Sequence, residues 1–244
     1  MKLKIDPSVT VGTIKPMNAV NNGPKYTDNA DQNLTNLPAF KAANIPYARV
    51  HDASICYDYG GEHTVDIHNI FPDFSADPYS PEAYDFTLTD MYLDHIELAG
   101  AEPFYRLGSK IEHWPKHYGI LPPADPHKWA VVCEHIIMHM NEGWADGRYR
   151  GIKYWEIWNE PDFNEKCWLG TPEEFYELFA VTAKHLKSRF PELKIGGPAV
   201  CGFNEKWLRP FFEKMRSENV PMDFYSWHRY GSCVADFTDD ARRH

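Results

Sequence analysis

Short apolar runs rich in aromatic and β-branched residues alternate with stretches of helical spacing along almost the whole chain. This alternation limits the fold more than any other feature, because strand–helix–strand repeats pack as a parallel sheet with helices outside it. Strand-like segments are expected near residues 9–20, 46–51, 102–108, 153–158, 194–200 and 222–230, with helices near 31–43 and 90–99, from Asp125 through at least Met140, from Thr171 onward, and near 205–218. Two helix starts are strongly signalled. Asp125 stands before Pro126 and a run of apolar residues at helical spacing, and Thr171-Pro-Glu-Glu174 has the form of a capping box.

The sheet is either open and doubly wound or closed as a (β/α)8 barrel. No Gly-x-Gly-x-x-Gly follows the first strand, which weakens a dinucleotide-binding fold. Polar residues gather at the ends of the first, second, fourth and sixth strands. A barrel predicts this pattern, since its active site is assembled at the C-terminal face from several strands. About six β–α units fill residues 1–244, with no repeat or linker to divide them, so the reading is one TIM-barrel domain, incomplete at the C-terminus. Thr238 resembles an N-cap, which places the end of the chain inside a sixth helix.

The segment Tyr154-Trp-Glu-Ile-Trp-Asn-Glu-Pro-Asp162 carries the chemistry. An apolar strand stops at Asn159-Glu160, and the proline that follows cannot extend the pairing. A carboxyl group thus stands at a strand end beside an amide and two indoles, as proton donation to a glycosidic oxygen requires. The plain alternative is a buried strand with a polar exit. Glu156 alternates onto the face of Trp158 and Glu160 and reads as a buried structural carboxylate. Asp52 is the nearest second carboxyl in the chain; on the second strand it suits hydrogen bonding to sugar hydroxyls better than catalysis.

Composition narrows the partners. With 25 Lys+Arg against 35 Asp+Glu, the net charge of −10 argues against nucleic acid and mildly against anionic polysaccharides. Aromatics at 15% leave ring surface for stacking on sugar. No membrane span and no signal-peptide h-region are seen, and the five cysteines are scattered, so a reduced, cytoplasmic protein is expected. His135 and His139 stand four apart on a helix, but Glu134 is misplaced for a His-Glu-x-x-His site, so they read as solvated or helix-flank side chains. Pro115 spoils a helical pairing of His113 with His117. No metal and no cofactor are expected. The aromatics of the long loop at 53–85, among them Tyr57, Tyr59, Phe71 and Phe74, serve either to stack on sugar or to pin the loop.

Three segments together resemble clan A glycoside hydrolases, and family 39 (β-xylosidases and α-L-iduronidases) in particular. They are the Glu160 segment, the stretch from Tyr84-Asp-Phe through Asp94 to Ala99-Gly-Ala-Glu-Pro-Phe104, and Asp223-Phe-Tyr-Ser-Trp-His-Arg-Tyr-Gly231; Arg49-Val-His-Asp52 adds to them. The resemblance implies Glu160 as general acid/base and Asn159 as the amide reaching the sugar 2-hydroxyl. It implies His228 and Tyr230 near the nucleophile, and Arg49, His51 and Asp52 as glycone contacts. Trp168 is read as an aglycone platform and Cys167 as incidental. The implied activity is retaining hydrolysis of O-glycosides, xylosides first, with an oligosaccharide or glycoside as partner. The implied nucleophile is a glutamate beyond residue 244, so the 244-residue chain alone is expected to be inactive; the alternative is a carbohydrate-binding pseudoenzyme or fragment. The third strand departs from the pattern, with Arg106 where an acidic residue is expected. Oligomeric state is not readable.

Overall fold

The computed structural model describes residues 4, 6–25, 35–51, 64–109, 111, 115, 117, 119–163 and 166–244. Six strands, β1 (Val20–Asn21), β2 (Tyr47–Val50), β3 (Glu102–Leu107), β4 (Tyr154–Ile157), β5 (Lys194–Val200) and β6 (Phe224–Trp227), pair in sequence order, each parallel to the next. Helices α1 (Leu37–Ala42), α2 (Ile67–Ile70), α3 (Thr87–Leu98), α4 (Pro126–Glu142), α5 (Pro172–Arg189), α6 (Glu205–Ser217) and α7 (Val234–Arg243) connect and follow them. The sheet curls into part of a (β/α)8 barrel.

Strand alternation builds the barrel interior in layers. At the lower level Tyr47, Phe104, Tyr154 and Phe224 meet. Tyr47 and Tyr154 lie 5.7 Å apart and Phe104 and Phe224 5.4 Å apart, although neither pair belongs to neighbouring strands. Two residues further along, the same faces carry Arg49, Arg106, Glu156 and Ser226, a polar layer. Two further again come His51 just after β2 and His228 just after β6, at the mouth. The opposite faces of the strands, with Ala48, Val50, Tyr105, Leu107, Trp155, Ile157 and Ile195, are fully buried against the helices.

The helix ends follow their local chemistry. Asp125 accepts from His127 N at 2.8 Å and Lys128 N at 3.2 Å to start α4, and Gly143 ends it at φ +77°. Thr171 and Glu174 close a reciprocal capping box on α5.

Two expectations need correction. The first strand is only Val20–Asn21. Upstream of it Val9, Val11, Ile14 and Met17 are exposed, up to 96% at Val11, and carry no ladder. The last helix begins at Val234 rather than after Thr238, because Asp236 accepts the Ser232 and Cys233 amides and so caps an earlier start.

Gly108, just after β3, sits at φ +153°, and a Cβ there would fall 3.1 Å from Trp158 Cα. Glycine is therefore required on two counts, conformation and close approach. Gly108→Ala is expected to lower stability by ~1–3 kcal/mol, read as a shift of the urea midpoint at constant m-value.

Candidate active site

The exit of β4 is bent. Trp158 and Glu160 both lie at positive φ, +72° and +47°, as does Ala199 on β5 at +55°. Non-glycine residues rarely hold this conformation, and such strain concentrates at functional sites. It is held by backbone bonds from Trp158 N to Leu107 O at 2.7 Å and from Glu160 N to Ala199 O at 2.9 Å. The bend also overturns the expected alternation. Trp158 turns outward to pack on Trp129, Trp168 and Phe175, its indole N–H donating to Cys167 O at 2.8 Å. Asn159 and Glu160 are left at the mouth.

A cleft of about 540 Å³ opens there. Asn21, Arg49, His51, Asn159, Glu160 and His228 line it, with Trp227, Arg229 and Tyr230 at its side. Glu160 is 6% exposed. Its Oε1 lies 2.5 Å from His228 Nδ1 and its Oε2 3.9 Å from Cys167 Sγ, so Cys167 is a neighbour of the carboxyl rather than incidental.

Arg49 organises the layer beneath. Its guanidinium donates to Glu156 Oε2 at 2.6 Å, Asn21 Oδ1 at 3.1 Å and Asn159 Oδ1 at 2.8 Å. Glu156 also accepts from Ser226 Oγ at 2.7 Å, which makes it a structural carboxylate bound on both oxygens. Because Arg49 takes Asn159 Oδ1, the amide Nδ2 is the atom left over. It is buried and has no protein hydrogen-bond partner among the described residues, a donor suited to a ligand hydroxyl.

The structure thus gathers Arg49, His51, Asn159, Glu160, His228 and Tyr230 around one cleft, Tyr230 at 90% exposure. Asp52 lies outside the described residues, as do Tyr57, Tyr59 and His113. Trp168 is not part of the cleft. It is 3% exposed, packed against Trp158 and Phe175, and its N–H donates to Thr171 O. Phe71 is fully buried and pins its loop. His135 and His139 are buried, not solvated: His139 stacks on Phe86 and bonds Trp144 O and Asp90, and His135 bonds Val131 O. The basic departure on β3 is neutralised locally, for Arg106 bonds Asp66 Oδ1 at 2.6 Å with both side chains fully buried.

Sequence reading missed Ser226 and Asp162. The first was findable, being in phase with His228 on β6. The second depends on tertiary contact. Its Oδ1 accepts from Cys201 N at 2.8 Å, and burial, with the nearby Glu160 charge adding, raises its pKa above the usual carboxylate range. Burial and the same two carboxyls push the Cys201 thiol up to about 11. A carboxyl whose pKa is raised by folding destabilises the fold when ionised, and the penalty vanishes as pH falls below its unfolded value. Asp162→Asn, which keeps the acceptor, is therefore expected to melt no lower than wild type at pH 7. The two curves should converge as pH falls, followed by thermal melts across the acid range.

Residues 16–241 match the family model described as glycosyl hydrolases family 39. A β-xylosidase of Geobacillus stearothermophilus is 28% identical over 173 residues, covering 67% of this chain and 34% of that protein. A β-xylosidase of Caldicellulosiruptor saccharolyticus is 28% identical over 161 residues, covering 63% and 32%. The chain spans about a third of the length of these curated relatives. Among solved structures, a glucosidase from Croceicoccus marinus superposes with a TM-score of 0.75 at 28% identity, over 91% of this chain and 45% of that one. A monomeric β-xylosidase from Caulobacter crescentus superposes at 0.59 and 21% identity, over 87% and 42%, a likeness of fold alone.

Proposed function

The chain belongs to glycosyl hydrolases family 39, and from that premise we propose that it carries the acid/base half of a retaining O-glycoside hydrolase acting on β-xylosides. The observation that carries this reading is the placement of Glu160: a carboxyl at a strained strand end, bonded by His228, in a cleft beside the unsatisfied amide of Asn159. In this mechanism the protonated Glu160 gives its proton to the glycosidic oxygen as the bond from that oxygen to the anomeric carbon breaks. A second carboxylate forms a bond to the same carbon from the opposite face. Glu160, now ionised, then takes a proton from water, whose oxygen attacks the anomeric carbon as the bond from that carbon to the second carboxylate breaks, which frees the sugar and regenerates both carboxyl groups. Asn159 Nδ2 donates to the sugar 2-hydroxyl, and His51 and Arg49 shape the glycone end, Arg49 by holding Asn159 in register.

Among the described residues lining the cleft, Glu160 is the one carboxylate. As the family resemblance implies, the nucleophile is proposed to be a second glutamate, one that is not among those lining residues. The choice of xylosides is supported by the likeness to two β-xylosidases. A panel of nitrophenyl glycosides assayed on the intact protein tests the reading. Release of nitrophenol from the β-xyloside with retention of anomeric configuration is expected. Binding of xylose without turnover of any member would replace the enzyme by a carbohydrate-binding protein.

A further inference from the structure

A second cavity, of about 370 Å³, lies on the other side of the β4 exit. The two sites share a wall: Trp158 faces the cavity while Asn159 and Glu160 face the cleft, and Ser109 faces the cavity while Ile111 faces the cleft. Nothing in the chemistry above uses it.

Its walls are tied in place. Ile67 N donates to Gly108 O at 3.1 Å, Leu169 N to Ile120 O at 2.9 Å, and Lys128 Nζ to Ala76 O at 2.6 Å. These bonds fasten α2, the segment before α4 and the 64–85 loop around the space, so the cavity exists before any ligand arrives. Seven of its lining residues carry rings: His68, Pro72, Phe74, Pro122, Pro123, Trp129 and Trp158. The Trp158 N–H is bonded elsewhere, so that indole offers apolar surface only. Of its polar side chains, Asp125 caps α4 and Lys128 donates to Ala76 O, while Ser109 Oγ lies 3.0 Å from His68 Nδ1. Gly119 backs this pair so closely that a Cβ there would fall 2.3 Å from both side chains. A sugar presents hydroxyls around its whole rim and is poorly served by such a lining. A flat aromatic ring with one polar substituent matches it, in size as well as in chemistry.

We propose that this cavity binds a phenolic ring, separately from the sugar held in the cleft. The ring has two possible sources, the leaving group of an aryl glycoside or a phenolic group not borne by the sugar in the cleft. The first source rests on the function proposed above; the binding itself does not.

The test is titration of the intact protein with 4-nitrophenol by calorimetry, with two variants at the cavity rim. Ala124 and Phe74 are exposed, so Ala124→Phe and Phe74→Ala alter the cavity at its rim, the second also removing an edge contact to Phe71; melting curves show whether the fold is kept. Wild type is expected to bind. Ala124→Phe should weaken binding at least about tenfold by filling the space, and Phe74→Ala by about three- to tenfold through loss of a ring contact. Tyr230→Ala, in the cleft, should leave the affinity unchanged. No binding, or equal affinity in all four proteins, overturns the proposal. 4-Nitrophenyl 1-thio-β-xyloside then separates the sources. Loss of its affinity in both cavity and cleft variants assigns the ring to the leaving group, and loss in cavity variants alone assigns it to a ring that enters independently. These titrations need no turnover, so their failure is distinct from a failure of the hydrolase reading.

Discussion

Glu160→Gln is expected to slow hydrolysis of β-xylosides with poor leaving groups by ~10²–10⁴-fold, with a much smaller loss for a dinitrophenyl xyloside. The asymmetry follows from the role. A good leaving group departs without a proton, so removing the acid costs little in the first step, whereas an alkyl or sugar leaving group needs it. Glu160→Ala with an activated substrate should accumulate the glycosyl-enzyme, and azide should restore turnover as the β-glycosyl azide, because a small anion needs no general base. The variant should fold normally. Glu160 makes side-chain contacts to His228 and Cys167, and its conformation is held by backbone bonds that the substitution leaves intact. Unchanged kcat/KM for alkyl xylosides in the Gln variant would remove Glu160 from the mechanism, whatever the fate of the aryl substrates.

The part of the site set by periodicity is legible in the amino-acid sequence. Glu156 follows from alternation along a strand whose apolar run is plain, Arg49, His51 and His228 follow from the family resemblance, and β3 and β5 fall close to where the residue pattern puts them. What is not legible is what depends on departures from periodicity. Alternation puts Trp158 on the face of Glu156 and Glu160, but a left-handed φ turns it to the helices, where it helps to wall a second cavity. Trp168 has an identity that suits stacking on sugar, but its place is decided by Phe175 and Thr171, which reach it only in three dimensions. The first strand fails for a related reason. Residues 9–17 have strand-like composition, yet composition counts only where a neighbouring strand supplies hydrogen bonds, and of this N-terminal segment only Val20 and Asn21 pair with β2.

Arg106→Leu is expected to cost ~3–5 kcal/mol of stability, more than any other substitution discussed. Arg106 occupies the inner face of β3 in register with Glu156. It donates to Asp66 Oδ1 at 2.6 Å and to His51 O at 3.1 Å. Both Arg106 and Asp66 are fully buried, so removal of the guanidinium leaves an interior aspartate carboxylate without its bond to Arg106. A leucine of similar bulk isolates the charge effect from a cavity effect. The second substitution decides the interpretation. If the loss reflects a stranded carboxylate, adding Asp66→Asn should recover most of it, since a neutral amide is far less costly to bury. If Arg106 contributes chiefly by packing, the double variant should be no more stable than the single one. Urea melts of the four proteins form a double-mutant cycle, and a coupling energy near zero would sink the claim that Asp66 is what allows a cation at this level of the barrel. The bond to His51 O gives the same cycle a functional side. His51 is a cleft residue whose backbone is held from below by Arg106, so the single variant should raise KM for β-xylosides in proportion to its loss of order there, while kcat for bound substrate, set by Glu160, changes less.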